Sequence, residues 1–454
     1  MEKNLTTGST FKNIIVFSLP YFLSYLLQTL YGMADLYIIG QFEGVASTTA
    51  VSIGSQVMHM LTVMIVGLAM GATVLTAQAI GGNDKKKAAY AIGNTVTLFM
   101  VVSVILTVVL VLLVRPITSL LSTPEEAVSG TVRYLTICFI GIPFITAYNV
   151  LSAVFRGMGD SKSPMYFIAV ACAANIGLDY LFMGVFRIGP AGAALGTTLS
   201  QAISVAVPLF VLMRRKTGIP MSKAVFKPSR PVMGQILKIG VPIAFQDGLI
   251  QIAFIIITII ANRRGLDDSA AVGIVEKVMS FLFLVPSSML STVSALGAQN
   301  IGANKPERAT ATLRYAAMLA VGFGVVIATT MQFIAEPVVS LFTDASNAEG
   351  AEVVRLGGQY LRGYVWDCIF AGIHFCFSGY FCAVGKSGIS FLHNIIAIAL
   401  VRIPGVYLTS QMFPDTLLPM GLATASGSVI SVIICIIAFI VLSRKSKNAA
   451  KECL

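Results

Sequence analysis

Twelve long apolar runs follow one another along the chain, separated by short stretches rich in charged residues, Gly and Pro. A helix needs about 20 apolar residues to cross the roughly 30 Å hydrocarbon core of a bilayer, and every run reaches that length. The pattern therefore predicts an all-α polytopic membrane protein with twelve transmembrane helices. Their predicted ranges are 12–39, 48–79, 88–114, 127–155, 163–186, 191–213, 235–262, 269–300, 308–335, 351–382, 388–412 and 417–443.

The chain contains an internal repeat. The stretch AQAIGGNDKKKA, from Ala77 to Ala88, returns as AQNIGANKPERA from Ala298 to Ala309, and six of the twelve positions are identical. Each copy ends one apolar run, turns on Gly and polar residues, and opens the next run. Two six-helix lobes are therefore expected, and because six is an even number, both enter the membrane in the same direction. This predicts a pseudo-two-fold axis along the membrane normal, with a substrate cavity between the lobes.

The repeat divides the chain into four predicted parts. The N-terminal lobe spans 1–213, a linker 214–231, the C-terminal lobe 232–443 and a tail 444–454. The linker is too short and too charged to cross the membrane, and its basic residues are Arg214, Arg215, Lys216, Lys223, Lys227 and Arg230. Lys and Arg are retained on the cytoplasmic side of membrane proteins. Both termini are therefore predicted to be cytoplasmic, in a multi-pass protein of the plasma membrane.

The composition of the chain excludes several other classes of protein. Hydrophobic residues make up 56% of the chain and charged residues only 11%, against about 25% charged in soluble domains. A net charge of +11 would favour a nucleic-acid partner in a soluble protein, but here the positive residues sort by side of the membrane. No nucleic-acid partner is expected. The first apolar run has no small-residue cleavage site behind it, so we expect it to remain as a helix and not to be removed as a signal peptide.

The sequence contains no motif for enzymatic chemistry. Its seven cysteines include no CxxC pair, which favours small core residues over disulfides or a zinc site. No GxxxxGK[ST], HExxH or GxSxG motif occurs, so neither a nucleotide-driven motor nor a hydrolase is supported. We predict that the protein is not an enzyme and has no resident cofactor.

Acidic residues inside membrane helices are costly to bury, so each is a candidate functional residue. Asp35 lies in the first predicted helix, Asn175 and Asp179 share one face of the fifth, and Thr197 lies in the sixth. Two carboxylates, an amide and a hydroxyl supply oxygen ligands for a small cation such as Na⁺, or a carboxylate pair that shares a proton. Two more polar side chains share the face of Asp35 at helical spacing: Gln28 and Tyr31.

The alternative interpretation of these acids is that Asp35 and Asp179 lie near helix ends and are wetted by the loops. The repeat favours a function instead. Position 35 corresponds to a position near Ile257 in the second copy, and position 179 to one near Val406. Acids that merely served a scaffold shared by both lobes would not be needed in only one of them. The sequence therefore predicts that the cation site belongs to the N-terminal lobe.

Other polar residues in predicted helices are weaker candidates. Asp247 and Gln251 are four residues apart in the seventh helix, and Asp367 lies in the tenth. Arg402, in the eleventh helix, is a deep positive charge that could hold Asp247 or Asp367, or repel cations from that lobe. Glu276 and Lys277 in the eighth helix could be an internally neutralised pair or an early, solvated helix turn, and we favour the solvated turn.

Pro20 is a candidate hinge in the first helix. Proline cannot donate a backbone hydrogen bond, so it is a place where a helix bends. It could instead begin the helix, where its missing N–H costs little.

The whole chain resembles the multidrug and toxic compound extrusion (MATE) family. The resemblance is carried by the twelve helices in two lobes, by the paired hairpins, and by the loop motif FRGMGDSKSP at 155–164. The first helix adds Pro20 followed by Gln28, Asp35 and Gly40. What the resemblance implies is export of organic, often cationic compounds in exchange for inward H⁺ or Na⁺.

Two branches of that family carry different site residues. The DinF-like branch, which this chain resembles more, has an N-lobe cation site that maps residue by residue onto Asp35, Asn175, Asp179 and Thr197. The NorM-like branch implies a further Glu in helix 7 and Asp in helix 10. Here helix 7 offers Asp247 instead, and Asp367 has no matching flanking motif.

The function predicted from the sequence is a secondary-active multidrug efflux antiporter that works by alternating access. Its partners would be drug-like small molecules and the lipid bilayer, and it would act as a monomer. A flippase for lipid-linked precursors is the alternative within transport, although such flippases commonly have extra helices and a strongly cationic cavity. A channel belongs to a different class, for which duplicated lobes and one-sided acids have no evident use.

Overall fold

The computed structural model describes residues 4–214, 219–343 and 346–452, and the side chains of all of these except 212, 213 and 446–452. Helices joined by short turns account for nearly all of these ranges, and no strand occurs in them. The predicted all-α class is confirmed. Two linker residues, Arg215 and Lys216, lie outside the described part of the chain.

Seven α-helices lie within residues 4–214. They are α1 (Thr10–Phe42), α2 (Val45–Gly81), α3 (Lys85–Leu120), α4 (Glu125–Ile140), α5 (Ile142–Gly157), α6 (Lys162–Asp179) and α7 (Pro190–Arg214).

Nine more α-helices lie in the described residues from 219 onward, after a short 3₁₀ turn at Lys223–Phe226. They are α8 (Arg230–Asn262), α9 (Leu266–Leu282), α10 (Leu284–Gly302), α11 (Pro306–Ser340), α12 (Ala348–Tyr364), α13 (Asp367–Ala383), α14 (Gly388–Ala397), α15 (Ile403–Met412) and α16 (Leu418–Glu452).

The number of membrane spans agrees with the sequence prediction. Within the described residues, ten helical segments are long and apolar enough to cross a membrane, with α9 and α10 counted as one segment and α14 and α15 as another. Two bent helix pairs raise the number to as many as twelve. The pairs are α4 with α5, bent by 48°, and α12 with α13, bent by 41°. Each pair was predicted as one span, 127–155 or 351–382. The first bend falls at Gly141, next to Ile142 and Pro143, where proline removes a backbone donor.

Two of the predicted spans contain a π-helical segment. In the fifth span α6 continues into a π-helix at Tyr180–Val185, and in the eleventh a π-helix at Ile398–Arg402 joins α14 to α15. Such segments shift the helical register of the side chains that follow and are frequent at functional sites. The two segments lie next to the strongest candidate residues: the first follows Asp179, and the second ends at Arg402.

The chain forms two compact units. One consists of residues 1–244 and 298–306, and the other of 245–297 and 307–454. The first unit includes the linker, the beginning of α8 and the second hairpin of the repeat, in addition to the lobe predicted at 1–213. The core of the first unit includes Tyr134 and Phe139. The core of the second is a separate cluster around Tyr360 and Val275.

The two copies of the repeated hairpin have the same backbone geometry. Asn83 and Asn304 occupy the same position in the two copies, and both adopt left-handed φ values of 54° and 55°. Asparagine is one of the few non-glycine residues that tolerates this region. Both hairpins therefore turn in the same way, which is the structural counterpart of their sequence identity.

The two hairpins also pack on each other within the first unit. A Cβ atom at Gly81 would collide with the backbone carbonyl of Gln299, and a Cβ at Gly302 would collide with the carbonyl of Gln78. The contact is reciprocal, since the equivalent glycine of each copy meets the equivalent glutamine of the other. Only glycine lets two helix ends approach so closely.

The linker is docked on α3 through Asn94. The Asn94 side chain donates to the carbonyl oxygen of Val225 at 3.1 Å and accepts from the backbone N–H of Ser229 at 2.7 Å. Thr97, one turn later, donates to the carbonyl of Phe226 at 2.8 Å. Val225 itself is buried. The described part of the linker is therefore a packed element of the first unit.

Candidate functional site

Asp35 is buried inside α1, about two turns before the helix ends at Phe42, with only 2% of its surface exposed. Its Oδ2 accepts a hydrogen bond from the hydroxyl of Thr197, on α7, at 3.2 Å. Its Oδ1 is also buried and has no hydrogen-bond donor. This burial argues against the sequence-based alternative, in which Asp35 is wetted by a loop.

Asn175 and Asp179 complete the same cluster from α6, which packs between α1 and α7. Both are fully buried. The Asp35 carboxyl group lies close to the side chains of both Asp179 and Asn175. The four residues selected from the sequence thus meet at one place, although they come from three helices and up to 162 positions apart.

Most polar atoms of this cluster have no hydrogen-bond partner in the protein. Both carboxylate oxygens of Asp179, both terminal atoms of the Asn175 amide and Oδ1 of Asp35 lack one. Two bare carboxylates about 4 Å apart repel by about 4 kcal/mol even at an effective dielectric constant of 20. The arrangement therefore fits one added positive charge, either a shared proton or a small cation with oxygen ligands.

A larger metal centre is not supported. Among the described residues, no group of three or more His, Cys, Asp and Glu side chains is close enough to hold a metal ion. The possible ligands at Asp35 and Asp179 are oxygen atoms, from the two carboxylates, the Asn175 amide and the Thr197 hydroxyl. Such a set suits a hard monovalent cation such as Na⁺ better than a soft transition metal.

Tyr31 belongs to the edge of the cluster, whereas Gln28 does not. The Tyr31 hydroxyl is buried near Thr197 and Ser200 on α7, but it makes no hydrogen bond of good geometry to either. Gln28 is half-buried on the same face of α1, and no described contact joins it to the acids. Tyr31 is the better candidate for a supporting role.

Gly196 is a site residue that the sequence reasoning missed. It immediately precedes Thr197 on α7, and a Cβ atom added there would collide with Oδ1 of Asp179. The absence of a side chain at this position makes room for the carboxylate. A glycine beside a candidate ligand was the only available signal, and glycine is too common in membrane helices to be selected on that basis.

If a cation binds at Asp35 and Asp179, Gly196→Ala should weaken its binding. Overpacking costs about 1–3 kcal/mol, and about 1.4 kcal/mol corresponds to tenfold in affinity, so the ion concentration giving half-maximal transport should rise about tenfold. Gly177→Ala is the matched control, because Gly177 lies on α6 between Asn175 and Asp179 and has open space around its Cα. Equal ion dependence in the two variants would show that Gly196 has no part in the site.

The second unit has an apolar core at the positions that correspond to these acids. Ile257 and Val406, which lie near the positions that correspond to Asp35 and Asp179 in the repeat, are 1% and 0% exposed and belong to one hydrophobic cluster. The asymmetry noted in the sequence is therefore a difference between a polar cluster in one unit and a packed apolar core in the other.

Arg402 forms a buried ion pair with Asp367 in the second unit. Its Nη2 lies 2.6 Å from Oδ2 of Asp367, which is fully buried. Of the two acids proposed as partners from the sequence, the structure selects Asp367. Asp247 is half-buried and lies near Gln246, and it makes no hydrogen bond to Gln251 among the described residues.

Glu276 differs from its sequence interpretation as part of a solvated helix turn. Its Oε2 accepts from the Thr258 hydroxyl at 3.2 Å, and its Oε1 is buried without a partner. Lys277 is exposed. The Glu276 side chain therefore points into the unit, whereas that of Lys277, the next residue, points out. The two residues are neighbours in sequence but do not form an ion pair.

A second cluster that the sequence did not reveal lies between α13 and α14. The rings of His374 and His393 meet edge to face with centroids 5.4 Å apart. Nε2 of His393 lies 3.0 Å from the Ser378 hydroxyl. The three residues are buried, and their contact depends on the packing of two helices, which no local pattern encodes.

An all-helical chain with up to twelve spans, broken helices and an unsatisfied acid pair within the membrane segments has the architecture of a secondary transporter. The sequence model of the MatE family matches residues 20–181 and 242–408. The chain belongs to the MatE family of membrane transporters.

Known proteins similar to this chain agree with that assignment. It is 29% identical over 419 residues to the probable multidrug resistance protein YpnP of Bacillus subtilis (strain 168), covering 92% of this chain and 93% of YpnP. It is 26% identical over 410 residues to the probable multidrug resistance protein YoeA of the same organism, covering 89% and 88%. A solved structure described as the outward-facing conformation of a multidrug resistance MATE family transporter matches with a TM-score of 0.89 at 21% identity, over 99% of this chain and 98% of that one. The predicted fold class is confirmed.

Proposed function

We propose that this protein is a secondary-active antiporter that exports organic, often cationic compounds in exchange for inward H⁺ or Na⁺. The observation that carries the proposal is the pair of facing, buried carboxyl groups at Asp35 and Asp179, whose oxygens the protein leaves largely without donors. Such a pair is stable when it carries one added positive charge and strained when it carries none. An ion gradient can therefore load and unload it.

The names of similar proteins support the substrate class. The two Bacillus relatives are probable multidrug resistance proteins, and the matched structure is of a multidrug resistance transporter in an outward-facing conformation. We therefore assign drug-like small molecules as the exported substrates and alternating access as the mode of transport. We also propose that both termini lie in the cytoplasm, which the positive residues of the linker support, and that this plasma-membrane protein works as a monomer.

Helix α1 is the element that would convert ion binding into movement. It carries Asp35 and runs without interruption from Thr10, with Ser9 as its N-cap, so Pro20 lies inside the helix. The alternative that Pro20 begins the helix is wrong. A proline in the helix interior leaves the carbonyl one turn earlier, that of Val16, without its usual partner. Pro20 is therefore the hinge that we propose.

The energy source can be tested in proteoliposomes containing the purified protein and a fluorescent organic cation. We expect efflux against a concentration gradient when a pH gradient or a sodium gradient is imposed, with each gradient applied separately. The gradient that drives transport identifies the coupling ion. Sustained uphill transport with ATP and no ion gradient would rule out the proposal, as would currents far above carrier rates under voltage clamp, which would indicate a channel.

A further inference from the structure

Asp367 and Arg402 occupy two irregular points of the second unit. Asp367 is the first residue of α13, directly after the 41° bend that separates it from α12. Arg402 is the last residue of the π-helical segment in the eleventh span. Both side chains are withdrawn from solvent, with 0% and 9% of their surfaces exposed. The two irregularities bring opposite charges together inside a membrane protein.

The Arg402 guanidinium is surrounded by oxygen atoms. In addition to Oδ2 of Asp367 at 2.6 Å, its Nη2 lies 3.3 Å from the Ser428 hydroxyl, and its Nε donates to the carbonyl oxygen of Thr424 at 2.9 Å. Oδ1 of Asp367 is buried and accepts no hydrogen bond. A carboxylate, a hydroxyl and a carbonyl around one positive charge form the type of donor set that hard monovalent cations use.

The acids of the first unit lack such a partner. Among the described residues, no Lys or Arg lies within ion-pair distance of Asp35 or Asp179, whereas Asp367 has Arg402 at full contact. Arginine remains protonated at all accessible pH values. The charge that neutralises Asp367 is thus covalently attached to the chain, and the charge that neutralises Asp35 and Asp179 must come from outside it.

We propose that the Arg402 guanidinium is a tethered cation that fills a monovalent cation site built around Asp367, so that the second unit holds its positive charge permanently and exchanges no ion. The cation that the site would otherwise take is Na⁺ or H⁺, held by the Asp367 carboxylate, the Ser428 hydroxyl and the Thr424 carbonyl. The consequence that only the first unit exchanges an ion rests on the proposed function. The site at Asp367 itself does not depend on that function.

The other titratable groups near the pair set the conditions for a test. They are Tyr360 and Tyr364 on α12, Glu276 on α9, and Cys368 and His374 on α13. Each of these groups is ionisable, so a pH effect is assigned to Asp367 only if it disappears when Asp367 alone is replaced.

The test measures cation binding to the purified full-length protein in detergent. Every variant also carries Asp35→Asn and Asp179→Asn, so that the acids of the first unit contribute no change in charge. Arg402→Gln is added to this background, and Arg402→Gln with Asp367→Asn is the matched control. Thermal unfolding is measured with 100 mM Na⁺ against choline at fixed pH, and across pH 5–8 without Na⁺. A response in the sodium series indicates that a metal ion binds, and a response in the pH series indicates that a proton binds.

The Arg402→Gln variant should unfold at a lower temperature than its parent, and either Na⁺ or acid should raise its unfolding temperature again, by roughly 3–5 °C. The parent and the variant with Asp367→Asn should respond to neither. Arg402→Lys should also be unresponsive, since it keeps a tethered charge. If Arg402→Gln is poorly folded, Arg402→Met gives the same comparison with a side chain of similar volume.

A variant without the arginine that is destabilised but insensitive to both cations would overturn the proposal and leave the pair as a structural ion bridge. An equal response in the variant that also lacks the Asp367 carboxylate would overturn it too, because the responding group would then lie elsewhere. Neither result depends on transport, so the outcome is independent of whether the protein is an antiporter.

Discussion

Asp35→Asn and Asp179→Asn should each abolish uphill efflux while leaving folded protein in the membrane. Asparagine has nearly the shape of aspartate, and replacing either acid removes the repulsion between the facing carboxylates that makes the site take up a positive charge. A buried neutral amide in place of a bare carboxylate also lowers the cost of burial, so folding should not suffer. Efflux driven by an imposed ion gradient should fall to the level measured without a gradient.

Three measurements separate loss of coupling from loss of protein. The amount of each variant in the membrane and its elution profile in detergent report folding, and exchange of labelled drug in the absence of any gradient reports whether the substrate is still carried. Asp415→Asn is the control, because Asp415 is an exposed acid in the loop before α16. If Asp35→Asn pumped drug uphill as well as the control does, Asp35 would have no role in coupling.

Gly302→Ala should destabilise the protein by about 3 kcal/mol or more, because the added Cβ would meet the backbone carbonyl of Gln78, which cannot rotate away as a side chain could. The measurement is the midpoint of thermal unfolding in detergent. Gly81→Ala, the reciprocal substitution in the other copy of the hairpin, should have an effect of similar size, since it meets the carbonyl of Gln299.

The control for these glycine substitutions is Gly322→Ala. Gly322 lies inside α11 with nothing near its Cα, so alanine should stabilise the helix by about 1 kcal/mol through its higher helix propensity. Opposite signs for Gly302→Ala and Gly322→Ala are the expected result. Two changes of the same sign would mean that the hairpin contact does not restrict the backbone as described.

The sequence by itself determined the number and approximate limits of the spans. A bilayer demands about 20 apolar residues per helix, so the ranges 12–39 and 191–213 were close to the observed Thr10–Phe42 and Pro190–Arg214. The same pattern could not show where a span bends. The break at Gly141 lies within a continuous apolar run, because lipid accepts apolar residues on both sides of a bend.

Hydropathy also could not separate lipid-facing residues from packed ones. Leu112 on α3 is 75% exposed and Leu135 on α4 is fully buried, yet both are leucines in predicted membrane helices. In a soluble protein the difference would appear as a helical period of apolar and polar positions. In a membrane the solvent is itself apolar, so that period is lost and the packing partner has to come from the tertiary structure.

The candidate site was likewise predicted from the sequence only in part. Asp35, Asn175, Asp179 and Thr197 could be selected from the sequence because acids and amides are rare within membrane spans. Only the tertiary structure showed that α1, α6 and α7 bring them together and that Gly196 leaves space for the Asp179 carboxylate. It also showed that Arg402 pairs with Asp367 and not with Asp247. Composition and local spacing indicate how much free energy it costs to bury a residue. The residue that it contacts depends on packing between helices far apart in the chain.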